Sequence, residues 1–311
     1  MTLTRRHSKP AWTLYQNPGL TERAQRFTER MNSRMLLEDL GNRHYAYNPT
    51  LQFESEDPAA AEEFLCHLLI ENSHTGRDRA DLLFWDFFEA VEYDLFHVGR
   101  CTAELFLEHE GPDQDSETEH PRLAVLPQWT LKHRRRRVWQ LDPTRGIRWR
   151  SLQGATLIEI KLGRPQTNDL QRTRRRLAAL DQPPVDRTTL LTSGTRAYEF
   201  ALHQRKLDEM SARATSAIGW DGRGLYMKRA TDSLRVYREL RFTRTWLDMV
   251  AVALTALDGA CRSSGSRYAP RAIKLQGIPT ADDLDDAMRA VTQGSESLDA
   301  IKSRLLYPRR E

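Results

Sequence analysis

Cysteine is scarce in this chain of 311 residues, and Cys66, Cys101 and Cys261 stand far apart with no Cys-x-x-Cys pair. An odd, scattered set argues against a disulfide framework and points to buried thiols in a reducing compartment. The nine histidines show neither His-x-x-x-His nor mixed Cys/His spacing, so a zinc site is not expected. Long hydrophobic runs are missing too. The most apolar stretch, Trp246 to Cys261, is broken by Asp248 and Asp258 and falls short of the roughly 20 apolar residues a bilayer span needs. It reads as a buried helix. No apolar segment follows the charged start Met1 to Lys9, so no secretory leader is expected. Trp220-Asp221-Gly222-Arg223-Gly224 fits neither Gly-x-Gly-x-x-Gly nor a Walker loop, and Ser193-Gly194 lacks the nucleophile-elbow pattern. Nucleotide binding and acyl transfer therefore have no motif behind them, and no internal repeat is visible.

What is present is an ordinary balance for a folded chain: 39% hydrophobic and 29% charged residues, with a mean hydropathy of -0.65. Net charge is +4 with a pI near 9.0, and nearly all the basic residues are arginine. Arginine matches phosphate bidentately, which suits nucleic acid. Codon bias in a GC-rich genome produces the same composition, so charge alone does not choose between them.

The patterning predicts an α+β chain in three spans: a helical N-terminal region (1–75), a central long helix with a β-meander (76–186), and a mainly helical C-terminal region (187–311). Leu20 to Leu40 has helical spacing and stops at Gly41, and Leu51 to Ser55 is a short strand. Asp57 and Pro58 start a helix whose apolar stripe is Phe64, Leu65, Leu68 and Leu69. From Arg79 to Gly99 apolar residues cover most of a helix, which places it centrally in a core. Thr102 to Glu108 reads as either more helix or a strand. An acidic loop, Gly111 to Pro121, precedes strands at Arg122 to Leu126, Arg137 to Leu141, Ile147 to Leu152 and Thr156 to Leu162. A basic helix (Asn168 to Leu180) and a Gln182-Pro183-Pro184 linker follow. The remainder predicts helices at Ala197 to Ile218 and Asp232 to Ala260, a strand at Arg271 to Gln276, and helices at Thr280 to Val291 and Ser297 to Leu306. Thr280 and Asp283 form an acidic capping box.

One constellation carries possible chemistry. In Leu157-Ile158-Glu159-Ile160-Lys161-Leu162, strand alternation puts Glu159 and Lys161 on one face. That is the Glu-x-Lys half of the PD-(D/E)xK nuclease pattern, in which carboxylates hold Mg²⁺ that activates water. Asp142 is the candidate second carboxylate and Glu92 or Glu89 a third, with Lys161 orienting the water. The order helix, strands, helix, strand (Thr188 to Thr192 last) also resembles that fold. Any half-exposed strand looks the same, and Asp142-Pro143 equally opens a turn. Two arginine groups are nucleic-acid-binding candidates: Arg134, Arg135, Arg136 and Arg137, which also read as a solvated strand edge, and Arg172, Arg175 and Arg176 on the basic helix.

Two stretches resemble the portal proteins of tailed bacteriophages. In Asp81 to Glu110 a bulky helix reaches Val98-Gly99-Arg100 and Ala103-Glu104-Leu105, followed by the acidic loop, Leu123 to Pro127 and a meander similar to a portal wing. Ser233-Leu234-Arg235, Trp246-Leu247-Asp248-Met249 and Leu257-Asp258-Gly259 resemble the helix entering a portal crown. The strand Ala272 to Leu275, the helix Ala281 to Val291 and the turn Gln293 to Leu298 come after it. The chain is short for that family, whose stem and clip would fall between Gly163 and Asp232. The resemblance implies a ring homo-oligomer that passes double-stranded DNA and docks terminase and head-tail connector proteins. It implies no catalytic residues and no cofactor, and a location in the host cytoplasm or the virion. The competing expectations are a Mg²⁺-dependent nuclease and a non-catalytic nucleic-acid-associated adaptor or defence component.

Overall fold

A computed structural model describes residues 4–6, 31–73, 78–109, 119–134, 137–142, 148–152, 156–180, 200–223 and 230–306. The fold is mixed α+β. Its elements are β1 (Thr4–Arg6), α1 (Met31–Gly41), α2 (His44–Tyr47), β2 (Thr50–Glu54), α3 (Pro58–Leu69), α4 (Ala80–Val98), β3 (Arg100–His109) and β4 (Glu119–Leu126). They continue with β5 (Leu131–Arg134), β6 (Arg137–Asp142), β7 (Arg148–Ser151), β8 (Thr156–Lys161), α5 (Arg164–Leu180), α6 (Phe200–Thr215), α7 (Asp232–Ser264), β9 (Ala272–Gln276), α8 (Ala281–Gln293) and α9 (Leu298–Ile301). The expected residues 20–30 of the first helix, most of the acidic loop, the proline linker, the strand 188–192, and Arg135 and Arg136 lie outside the described residues. Among the described residues no helix is long and apolar enough to cross a membrane.

Contacts gather these elements into two compact units that interleave along the chain. One is built from Asn48–Leu162 and Met249–Ile278 together with β1, the other from Phe27–Tyr47, Gly163–Asp248 and Pro279–Glu311.

In the first unit α3 begins where the sequence says it should. The Asp57 carboxylate accepts from the Ala60 amide at 3.1 Å, Pro58 occupies the first turn, and Ala61, Phe64, Leu65, Leu68 and Leu69 are buried. Buried Asn72, just beyond, donates to the Leu123 carbonyl (2.8 Å) and accepts from the Val125 amide (3.0 Å), so its side-chain amide serves β4 as a substitute strand neighbour. The helix α4 buries Leu83, Phe84, Phe87, Phe88, Val91, Leu95 and Phe96, each contributing about 1.5–3 kcal/mol through apolar burial. It ends at Gly99, whose φ of 80° reverses the chain directly into β3 at no Cβ cost. The ambiguous stretch after it is therefore a strand.

Antiparallel β4 flanks β3 on one side; β8 pairs with its Arg100 to Leu105 and parallel β1 with its Phe106 to Glu108. Cys101, Ala103 and Leu105 on one face and Thr102, Glu104 and Phe106 on the other are all buried, so β3 is covered on both sides. A separate antiparallel sheet runs β5-β6-β7, of which β5 was not foreseen in the sequence. Finally β2 pairs antiparallel with β9, joining Thr50 to Gln276 and Glu54 to Ala272 across the length of the chain.

In the second unit α5 packs on α1 and α6 through Leu170, Thr173 and Leu177. Tyr47 stacks on Trp246 with centroids 5.7 Å apart and donates its hydroxyl to the Leu305 carbonyl at 2.8 Å. The capping box at α8 forms as read, with the Asp283 amide donating to the Thr280 hydroxyl and the Thr280 amide to Asp283 Oδ2. The last helix stops at Ile301 and continues as a π-turn over Lys302–Leu306. Arg238, only 6% exposed, ties the turn after α6 to α7: its guanidinium donates to the carbonyls of Ala212 (2.9 Å), Gly219 (3.4 Å) and Trp220 and to the Thr215 hydroxyl. Of the three thiols, Cys101 and Cys261 are buried and Cys66 is half-buried, its Sγ donating to the Asp78 carbonyl at 3.1 Å.

Candidate functional site

Glu159 and Lys161 do share the outward face of β8, as period-2 alternation demands, while Ile160 between them is buried. Their side chains are 47% and 52% exposed and pair with each other, Lys161 Nζ standing 2.7 Å from Glu159 Oε1. His133 of β5 lies within their electrostatic reach. Burial holds its imidazole below the usual histidine range; Arg100 and Lys161 act in the same direction and Glu159 against them. Among the described residues, His133 Nε2 is buried without a hydrogen-bond partner. Sequence reasoning did not single out His133, because β5 carries no turn signal or alternation strong enough to mark it.

The other candidate carboxylates of the nuclease constellation belong to other elements, Glu92 to α4 and Asp142 to β6. Glu92 is 1% exposed, and burial first, then Glu89, pushes its carboxyl well above the usual range. Burial and the neighbouring carboxylate both disfavour its charged form, and its place in the core keeps it from an ion that substrate must reach. Asp142 ends β6 opposite Arg148, in the β5-β6-β7 sheet rather than in the sheet that holds Glu159. Among the described residues, no three His, Cys, Asp or Glu side chains gather as ligands for an ion.

The arginines divide between two places. On α5 the buried stripe Leu170, Thr173 and Leu177 leaves Arg172, Arg175 and Arg176 on the exposed face, with Arg172 3.7 Å from Asp169. Of the four-arginine run, Arg134 at the end of β5 and Arg137 at the start of β6 are register partners. Arg137 is exposed.

The same sheet has a feature absent from the sequence reading. Lys132 lies opposite Trp139, Trp139 opposite Ser151, and Leu141 opposite Trp149, so these residues share one face. Trp149 is 43% exposed, and the Lys132 ammonium lies 5.6 Å from its ring centroid. The opposite face is turned inward, and its Gln140 is 1% exposed.

Within the second unit a cleft of about 270 Å³ is lined by Asp39, Asn42, Arg43, Trp220, Asp221 and Glu239, among others. Its polar groups are largely spent on one another. Arg43 donates to Thr243 (2.7 Å) and Glu239 (3.4 Å), while Asp39 accepts from Trp220 Nε1 and Arg223 Nε, both at 2.8 Å. The cleft is thus lined by side chains of both charge signs. Comparison with protein-family models and with curated proteins returned no match to this chain.

Proposed function

We propose that the chain is a portal-like structural subunit that closes with copies of itself into a ring around double-stranded DNA and docks packaging or connector proteins. The observation that carries this reading is the order of elements the resemblance implies. A bulky helix stops at a left-handed glycine and turns into a strand pair, and a three-stranded meander follows. Later come the helix α7, of 33 residues and about 50 Å long, the strand β9, the capped helix α8, the Gly294 turn and the Ser297-capped helix α9.

A ring of identical subunits buries one surface of each copy against a different surface of the next. A conduit needs sequence-independent, modest charge, since tight phosphate binding would stall a moving duplex. The exposed arginines of α5 fit such a surface: they are few, and Arg172 is partly balanced by Asp169. Multi-angle light scattering and negative-stain imaging of the full chain test the proposal. Closed rings, or a discrete high-order oligomer, are expected; a strict monomer throughout the micromolar range removes the reading.

No catalytic step belongs to this function. The Glu159–Lys161 pair, on an exposed strand face, contributes at most about 1 kcal/mol to stability. Plasmid incubated with Mg²⁺ and wild-type protein is expected to stay intact, as it does with Glu159→Ala or Lys161→Ala. Cleavage by the wild type that both substitutions abolish would make the chain a metal-dependent nuclease instead.

A further inference from the structure

We infer that the outward face of the β5-β6-β7 sheet binds single-stranded nucleic acid, with bases stacking on Trp149 and Trp139 and phosphates held by Lys132 and Arg137. This goes beyond the conduit role, which needs no exposed base. Register places Lys132, Arg137, Trp139, Leu141, Trp149 and Ser151 on one face, and none of these six is acidic. Three strands make a ribbon only about 10 Å across from first to last, so both rings and both cations lie within reach of one short run of nucleotides. Trp149 leaves 43% of its surface in water, unusual for a residue with so much apolar area to bury.

Charge and ring geometry choose the occupant. An indole with a lysine ammonium over it offers two complementary contacts at once: a π-face for a base, and a cation for the phosphate next to it. As a phosphate draws the Lys132 ammonium aside, the ring it covered opens to the base. Arg137 adds a second positive charge and has no ion-pair partner among the described residues. A duplex keeps its bases stacked inside and would use the cations alone, leaving the tryptophan idle. An acidic peptide would likewise meet the cations without engaging the rings. Single strands need both.

The test is fluorescence anisotropy with the full chain and labelled oligo(dT), oligo(U), a DNA duplex and poly-glutamate. Both single strands are expected to bind more tightly than the duplex. Trp149→Ala should weaken single-strand binding roughly tenfold or more while leaving duplex binding unchanged, and Trp149→Phe should restore it. Lys132→Ala and Arg137→Ala should each weaken binding and lower the salt slope by about one unit. Because Trp149 lies on the surface, unaltered thermal unfolding of its variants checks that folding is intact. Failure of wild-type protein to bind oligo(dT) or oligo(U) overturns the inference. So does equal loss of duplex binding in Trp149→Ala, or full competition by poly-glutamate. Self-association that depends on Trp149 would overturn it as well, by assigning the face to a second copy. Ring formation is measured separately, so this inference and the portal-like reading fail independently.

Discussion

Asp94→Asn is expected to leave the protein about as stable as wild type near pH 5 but more stable by roughly 3–4 kcal/mol near pH 8. The carboxyl of Asp94 lies in the interior of the first unit, 4% exposed on α4, and burial pushes it up from 3.8 to about 8. The Gln128 backbone amide and the Cys101 thiol donate to it and offset only part of that cost. Among the described residues its Oδ2 has no hydrogen-bond partner. Here the folded-state value is the raised one. Between about pH 4 and about pH 8 the native protein keeps a proton that the unfolded chain has already released. Stability is therefore fully present below the unfolded value and falls as pH rises through that window, by roughly 1.4 kcal/mol per pH unit, levelling off above about 8.

Glu92, two residues earlier and roughly on the opposite side of the same buried helix, is raised by burial and by Glu89 and adds a loss of the same sign. Asparagine keeps the shape of Asp94 and accepts from Gln128 without titrating, so the difference between wild type and variant isolates this one group. Urea unfolding at pH 5, 6, 7 and 8 measures it. A difference that stays constant with pH would mean that Asp94 is ionised in the folded protein.

Gly219→Ala is expected to cost about 3–5 kcal/mol and lower the melting temperature on the order of 10 °C. Gly219 follows α6 with φ at 82°, a region that favours glycine. Strain is only half of it. A Cβ at this position would overlap the Arg238 carbonyl oxygen and stand 2.8 Å from the Phe242 nitrogen, both backbone atoms of α7 that cannot move aside without breaking the helix. The same approach lets Arg238 reach the Gly219 and Trp220 carbonyls, so a displaced turn also leaves buried acceptors unpaired. Gly294 in the same unit is the control. Its φ is 67° but its Cβ position opens on empty space, so Gly294→Ala carries the conformational cost alone, about 1 kcal/mol. Circular-dichroism melts of both variants separate the contributions. Equal losses would show that the close approach of the α7 backbone adds nothing.

The candidate sites were legible in proportion to how local their geometry is. That Glu159 and Lys161 point the same way follows from alternation within six residues, and so does their pairing at 2.7 Å. The exposed Arg172, Arg175 and Arg176 follow from the spacing of Leu170 and Leu177 on one helix. Whether Glu92 and Asp142 approach Glu159 depends instead on which strands become neighbours. Glu92 looked available because an acidic residue in a helix usually marks the solvent side; α4 is apolar around most of its girth, and Glu92 and Asp94 are enclosed along with it. The meeting of Lys132 and Trp149 was invisible for the same reason: the two lie on strands separated by a third.

Alone, the sequence determined the pieces whose cause lies within three or four residues. Asp57 with Pro58 opens α3, Gly99 closes α4, and the Thr280–Asp283 pair caps α8, because each satisfies backbone groups of its own turn. It also determined the apolar character that buries α4. Only the tertiary structure decided that β2 finds β9 more than two hundred positions away, that β1 and β8 line up along one strand, and that the Asn72 side chain bonds to the backbone of β4. A strand leaves half its hydrogen bonds to be completed by another segment, and nothing in its own residues names the partner.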